Sequence, residues 1–116
     1  MDKFTTVFDL REHQHHSSFC ATIASSTFDW PRILAPARWF HCTGITPLLG
    51  EGSRAAWDGA LTAAREARGC YVSLDFNHRP ALGSLDALWR AVEPHLGALS
   101  LLMLSEDTLR TLAVEC

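Results

Sequence analysis

The chain has 116 residues, 47% of them hydrophobic, and a formal net charge of -3. That is enough for one small domain with a real core, and it excludes a disordered chain. The slight acidic excess excludes a basic nucleic-acid surface, and no apolar run is long enough to cross a bilayer.

The N-terminus, "MDKFTTVFDLREHQHH", has no apolar core and is not a signal peptide. "FTTVFDL" is rich in β-branched and aromatic residues and predicts a strand, Phe4 to Leu10. "SSFCATIA", Ser18 to Ala24, predicts its partner, with the polar "REHQHHS" between them. An N-terminal β-hairpin or lid-like piece is therefore expected over residues 1–28, ahead of an alternating core over 29–116. In "STFDWPRIL", Asp29 can cap a short helix that has Pro31 in its first turn. "ARWFHCTGI" predicts a buried strand from Trp39 to Thr43. In "GEGSRAAWDGALTAAREARG" the residues Ala56, Trp57, Ala60, Ala63, Ala64 and Ala67 recur at helical spacing. Ser53 is expected as its N-cap and Gly69 as its C-terminal glycine.

"CYVSLDF" predicts the next strand. "SLDALWRAVEPHLG" predicts a helix capped by Ser84, with Leu85, Leu88, Val92 and Leu96 on one face, strained or ended by Pro94. "LSLLML" predicts a further strand, and a last helix begins at Ser105. Strands alternating with helices, and strands that are nearly all apolar, imply an α/β fold. The expected architecture is an open, mostly parallel, Rossmann-like sheet in three layers, covered on both faces. Trp30, Trp39, Trp57 and Trp89 are expected in its core.

In such sheets ligands bind at the carboxyl ends of the strands. "DFNHRP" stands at one such end, Gly44 and Thr46 at another, and "SEDT" at a third. Arg79 can hold a carboxylate or phosphate in two parallel charge-assisted hydrogen bonds. Asn77 can donate and accept, as sugar hydroxyls require, and Asp75 can accept from a hydroxyl or orient Arg79. Pro80 stiffens the exit. A solvated loop that caps a helix fits the same residues, although strand-end loops often carry function.

His13, His15 and His16 lack a partner with ligand spacing, so a polar loop outweighs a metal site. His41, inside an apolar strand, reads as a satisfied core histidine. The four cysteines form no C-x-x-C pair, which fits a reducing, cytoplasmic setting better than a zinc knuckle or redox motif. No P-loop, G-x-G-x-x-G or G-x-S-x-G motif is present.

Taken together, "ARWFHCTGITPLLG", "GCYVSLDFNHRPALGS", Trp89 and the upstream "SSF...STFDW" resemble the PfkB (ribokinase-like) carbohydrate kinases, the 2-keto-3-deoxygluconate kinases in particular. The similarity runs from Ser17 to about Leu112. It implies an ATP- and magnesium-dependent phosphoryl transfer to a sugar or sugar-acid hydroxyl. Arg79, Asn77 and Asp75 would line the substrate pocket, and Arg11 would match an arginine of the family's lid strand.

Three motifs of that family are absent: the "D-T-x-G-A-G-D" helix start with its aspartate base, the N-terminal sugar-gripping glycine and asparagine motifs, and the metal-organising "N-x-x-E". At the last of these Ser105 and Thr108 take the asparagine and glutamate positions. The resemblance therefore implies an incomplete domain that alone transfers no phosphate. A non-catalytic sugar- or nucleotide-binding remnant is the alternative. Dependence on a partner is also expected, either another copy or missing segments of the fold.

Overall fold

Polar and apolar residues alternate along the strands, and this decides where the helices pack. The computed structural model describes residues 4–6 and 25–115. Four parallel strands form one sheet in the order β1 (Phe4–Thr6), β2 (Trp39–Thr43), β3 (Tyr71–Asp75) and β4 (Leu101–Met103). Phe40 and Cys42 on β2 stand in register with Val72 and Leu74 on β3, and Leu74 with Leu102 on β4. Side chains two apart share a face, so this apolar set looks one way. His41, Thr43, Ser73 and Asp75 look the other.

Three helices cover the apolar side: α1 (Trp30–Leu34), α2 (Glu51–Glu66) and α3 (Leu85–Val92). Trp30 and Leu34 of α1, Trp57, Ala60 and Leu61 of α2, and Leu88 and Val92 of α3 form one core cluster with Phe40, Cys42, Val72 and Leu74. The placement follows from handedness. Crossovers between parallel strands are right-handed. When the strands are laid down in sequential order, right-handed crossovers stack on the same side. Among the described residues these three helices lie on one face of the sheet, as one layer of the expected incomplete open α/β fold. Trp39, expected in the core, stands on the open face with Tyr71, their ring centroids 5.6 Å apart.

The element boundaries follow local chemistry. Asp29 Oδ1 accepts from Arg32 N at 3.3 Å and caps α1. Ser84 Oγ accepts from Ala87 N at 3.0 Å and caps α3. α2 begins before the expected cap. Its N-cap is Gly50, Glu51 occupies the first turn where a carboxylate favours the helix dipole, and Ser53 is buried inside the helix. Gly69 adopts φ 78°, a left-handed backbone that only glycine takes without strain, and so turns the chain into β3. Pro94 ends α3, which continues as a 3-10 helix over Glu93–Ala98. The tighter winding rotates later side chains off the α-helical stripe. Leu88 and Val92 are therefore fully buried while Leu96, expected on the same face, is exposed.

Of the expected N-terminal hairpin only the first strand is described. Phe4–Thr6 pairs in parallel with Trp39–His41 at the sheet edge. The expected partner, Ser18 to Ala24, lies outside the described residues.

This packing can be tested at Gly44 and at Cys42. A Cβ at Gly44 would stand 2.2 Å from the Phe76 carbonyl oxygen and 3.0 Å from Leu88 Cδ1. Gly44→Ala must therefore push the two backbones apart, and the overpacking costs about 1–3 kcal/mol. Chemical denaturation of the variant should show a lower midpoint, and an unchanged midpoint refutes the tight approach. At Cys42, burial pushes the thiol up from 9.0 to about 12, the neighbouring Trp57 indole offsetting some of the shift. Below pH 9 the folded and unfolded thiols are both protonated, and the group adds no pH dependence. Between about pH 9 and 12 only the unfolded chain ionises there, so stability falls as pH rises. Cys42→Ala should flatten that fall, and equal slopes in both proteins would exclude Cys42 as its source.

Candidate functional site at the strand exits

The exits of β2, β3 and β4 are held level by hydrogen bonds that continue one residue past the strands. Gly44 N donates to Asp75 O at 2.8 Å, and Phe76 N donates to Met103 O at 2.8 Å. At the β2 exit, Thr43 Oγ1 accepts from Ile45 N at 3.2 Å and starts a turn into the 3-10 helix Thr46–Leu48. Thr46 is fully buried, and its hydroxyl has no hydrogen-bond partner among the described residues.

The β3 exit carries the sequence-predicted residues. Phe76 drives into the core, its ring 6.5 Å from that of Trp89. Asn77 then takes φ 48°, a left-handed conformation that asparagine tolerates better than most residues. That reversal redirects the chain away from the sheet. His78 Nε2 lies 3.1 Å from the Gly83 carbonyl oxygen. A carbonyl only accepts, so Nε2 carries the proton in this contact. Leu82 N donates to Arg79 O at 2.9 Å within the same loop. The loop is thus tied across its base, immediately before the Ser84 cap of α3. Sequence reasoning misses His78; its neighbours in "DFNHRP" draw attention by charge, and nothing local marks the long reach to Gly83.

Asp75 is half-buried, in register with Thr43 and Met103 on the open face. Asn77 is half-buried and Arg79 exposed. Among the described residues the side chains of all three make no hydrogen bond or ion pair with protein. The cluster can therefore offer a guanidinium fork, an amide and a carboxylate to a ligand without first breaking internal contacts. Arg11 and the histidines at 13, 15 and 16 lie outside the described residues.

The β4 exit is differently employed. Ser105 Oγ accepts from Thr108 N at 3.1 Å and donates to Thr108 Oγ1 at 3.0 Å. It is the N-cap interaction of α4 (Glu106–Glu115). Glu106 pairs with Arg110 at 2.8 Å on that helix. Among the described residues no three His, Cys, Asp or Glu side chains converge to hold a metal, and no helix is long and apolar enough to cross a membrane.

On the open face below the exits, Trp39 Nε1 donates to Ser73 Oγ at 2.8 Å, and His41 Nδ1 lies 2.7 Å from the same oxygen. Indole N–H can only donate. The serine hydroxyl keeps one proton and a second lone pair, so it can donate to His41 Nδ1 in one tautomer of the ring or accept from it in the other. His41 is satisfied as expected, but outside the core.

No protein-family model matches the chain. Solved structures do. The 2-dehydro-3-deoxygluconokinase of Thermotoga maritima superposes with a TM-score of 0.71 and 34% identity, over 77% of this chain and 27% of that one. A putative 2-keto-3-deoxygluconate kinase from Enterococcus faecalis gives a TM-score of 0.64 and 26% identity, over 80% of this chain and 28% of that one. A PfkB protein from Polaromonas sp. JS666 shares the fold with a TM-score of 0.70 at 24% identity, over 82% of this chain and 32% of that one. The chain thus spans about a quarter to a third of the length of the proteins it matches. Parallel strands in sequential order, a "DFNHRP" strand exit and these superpositions converge: this chain shares the fold, and a segment of the sequence, of the PfkB-type carbohydrate kinases.

Proposed function

We propose that this chain contributes the acid-recognising strand exit of an ATP-dependent carbohydrate kinase, acting on a sugar acid of the 2-keto-3-deoxygluconate type. The observation that carries the reading is Arg79. Its guanidinium is exposed on a loop that His78 fastens, and it has no internal counter-charge among the described residues. A guanidinium fork matches a carboxylate or a phosphoryl group in two parallel hydrogen bonds. Asn77 and Asp75, which precede it at alternate positions along the chain, suit hydroxyl groups. Names of the matched proteins point to the same substrate class.

Magnesium does not fit the described residues. The hydroxyls of Ser105 and Thr108 are engaged with each other at the start of α4, and Glu106 is engaged with Arg110. No step is assigned through a metal, and none through ATP. This same observation favours a second reading, a sugar-acid-binding module without catalysis. Phosphoryl transfer requires metal, base and positioned nucleophile together.

Two outcomes test these readings. Isothermal titration of the chain with 2-keto-3-deoxygluconate should show binding that exceeds binding of glucose. Arg79→Ala should remove that preference, a loss within the roughly 2–5 kcal/mol cost of breaking a desolvated charge pair and toward its lower end because Arg79 is exposed. Arg79→Lys should restore only some of it, since it keeps the charge and loses the fork. Arg90 is the control. It is exposed and paired with Asp86 at 2.9 Å along α3, and such pairs contribute little, so Arg90→Ala should change nothing. Equal losses for acid and neutral sugar in Arg79→Ala would defeat the acid assignment. Secondly, the purified chain should consume no ATP in the presence of the sugar acid. Turnover that survives removal of contaminating kinases would reject the non-catalytic reading.

A further inference from the structure

On the helical side, a groove of about 500 Å³ opens between the C-terminal half of α2 and the 3-10 helix Glu93–Ala98. The topology places it away from the strand exits. α2 ends at Glu66 and leads through Gly69 into Tyr71, the first residue of β3, and the 3-10 helix leads to Leu101, the first residue of β4. Both segments therefore finish toward strand entries, whereas Asp75, Asn77 and Arg79 stand at an exit. The volume lies within the range of small-molecule pockets, about 300–1,000 Å³. Leu61, Pro94 and Ala98 supply its apolar lining. His95 is a fixed wall. Its Nε2 lies 2.6 Å from Asp58 Oδ1, its ring stands perpendicular to that of Trp57 with centroids 5.2 Å apart, and its side chain is only 14% exposed. Asp58 is itself held by Arg54 Nε at 3.1 Å.

The polar lining carries two opposite charges that the protein does not pair. Arg65 and Glu66 are exposed, and neither side chain makes an ion pair or hydrogen bond among the described residues. Successive residues of a helix do not face each other, so these two cannot neutralise one another. Three and four places back, where pairing is possible, stand Thr62 and Leu61 for Arg65, and Ala63 and Thr62 for Glu66. Arg65 is nonetheless positioned. A Cβ on Gly97 would stand 3.4 Å from its Nη2, 3.5 Å from its Cζ and 3.6 Å from its Nη1. Near-equal distances lay the guanidinium face over the glycine and leave its in-plane N–H groups free as a fork. Glu66 closes α2, where the last carbonyls and the helix dipole already favour a cation.

We infer that this groove binds a zwitterionic amino acid with a large apolar side chain, its carboxylate on Arg65, its ammonium on Glu66 and its side chain against Leu61, Pro94 and Ala98. A simple anion is disfavoured by Glu66 beside the arginine, and a simple cation by Arg65 beside the glutamate. A sugar acid lacks both the cation and the apolar part.

The inference does not depend on Arg79 or on catalysis. Isothermal titration of the 116-residue chain with L-phenylalanine should show saturable 1:1 binding. Phenethylamine lacks the carboxylate and 3-phenylpropionate lacks the ammonium. Each should bind about fivefold more weakly, the upper range for an exposed ion pair. Arg65→Met should erase the preference for phenylalanine over phenethylamine, and Glu66→Gln the preference over 3-phenylpropionate. Both positions are exposed, and circular dichroism checks that the variants fold. Arg79→Ala should leave phenylalanine binding unchanged, which separates this site from the sugar-acid reading. The inference is overturned by any of four results: no saturable binding, 3-phenylpropionate or phenethylamine binding as tightly as phenylalanine, preferences that survive the two substitutions, or phenylalanine binding that Arg79→Ala removes.

Discussion

The Phe76 carbonyl oxygen passes so close over Gly44 that a methyl group there would stand 2.2 Å from it. Any side chain at that point must push backbone aside, because the obstacle is backbone and not a flexible tip. The contact brings the exits of β2 and β3 together at one height, where Gly44 N reaches Asp75 O. Everything at the candidate site depends on that closeness. Phe76 points into the core on the same face as Leu74 two residues before it. Once Phe76 is anchored, Asn77 must reverse the backbone, and the reversal carries Arg79 outward. A glycine on one strand thus sets the direction of an arginine on the next.

The second constraint is the handedness of the crossovers. Each right-handed β-α-β step moves one strand further along the sheet, so α2 and α3 are delivered to the same side. The core forms there, around Trp57, Phe40 and Leu88. The opposite side receives the polar members of each strand together with Tyr71, Leu101 and Met103. Exit loops at the top of the sheet serve both sides. Asp75 belongs to the open face and Phe76 to the core, and the boundary between the two falls between adjacent residues.

Much of this was legible from single residues. Asp29, Ser84 and Ser105 each announce a helix start, and each cap hydrogen bond is made. Pro94 ends an α-helix as its missing N–H requires. The face on which α1, α2 and α3 pack was also written in the strands, since Phe40, Cys42, Val72 and Leu74 alternate with His41, Thr43, Ser73 and Asp75. Ser53 misled because serine is a good cap, but α2 starts at Gly50, where the backbone alone suffices and Glu51 answers the dipole. Leu96 misled because heptad-like spacing assumes a continuous α-helix, and the 3-10 segment after Val92 breaks that assumption. At the site, Asp75, Asn77 and Arg79 were visible by charge and position. His78 was not, since its contact with Gly83 is a property of the folded loop.

The β3 and β4 exits show how one chemistry can be put to opposite uses. Both carry polar residues just past a strand, on the way to a helix. At β4, Ser105 turns back on the helix it precedes and takes up the Thr108 amide and hydroxyl. Its polar capacity is consumed within four residues. At β3, the capping duty is displaced along the chain to Ser84, and His78 secures the loop in between. Asp75, Asn77 and Arg79 are thereby relieved of structural work among the described residues. Separation of the cap from the strand exit requires a longer connection, and that length leaves the polar side chains of the β3 exit unengaged among the described residues. The short β4 connection has no such room. Of the two exits, β3 is therefore the one whose polar side chains stay unengaged among the described residues, while β4 is committed to holding its helix.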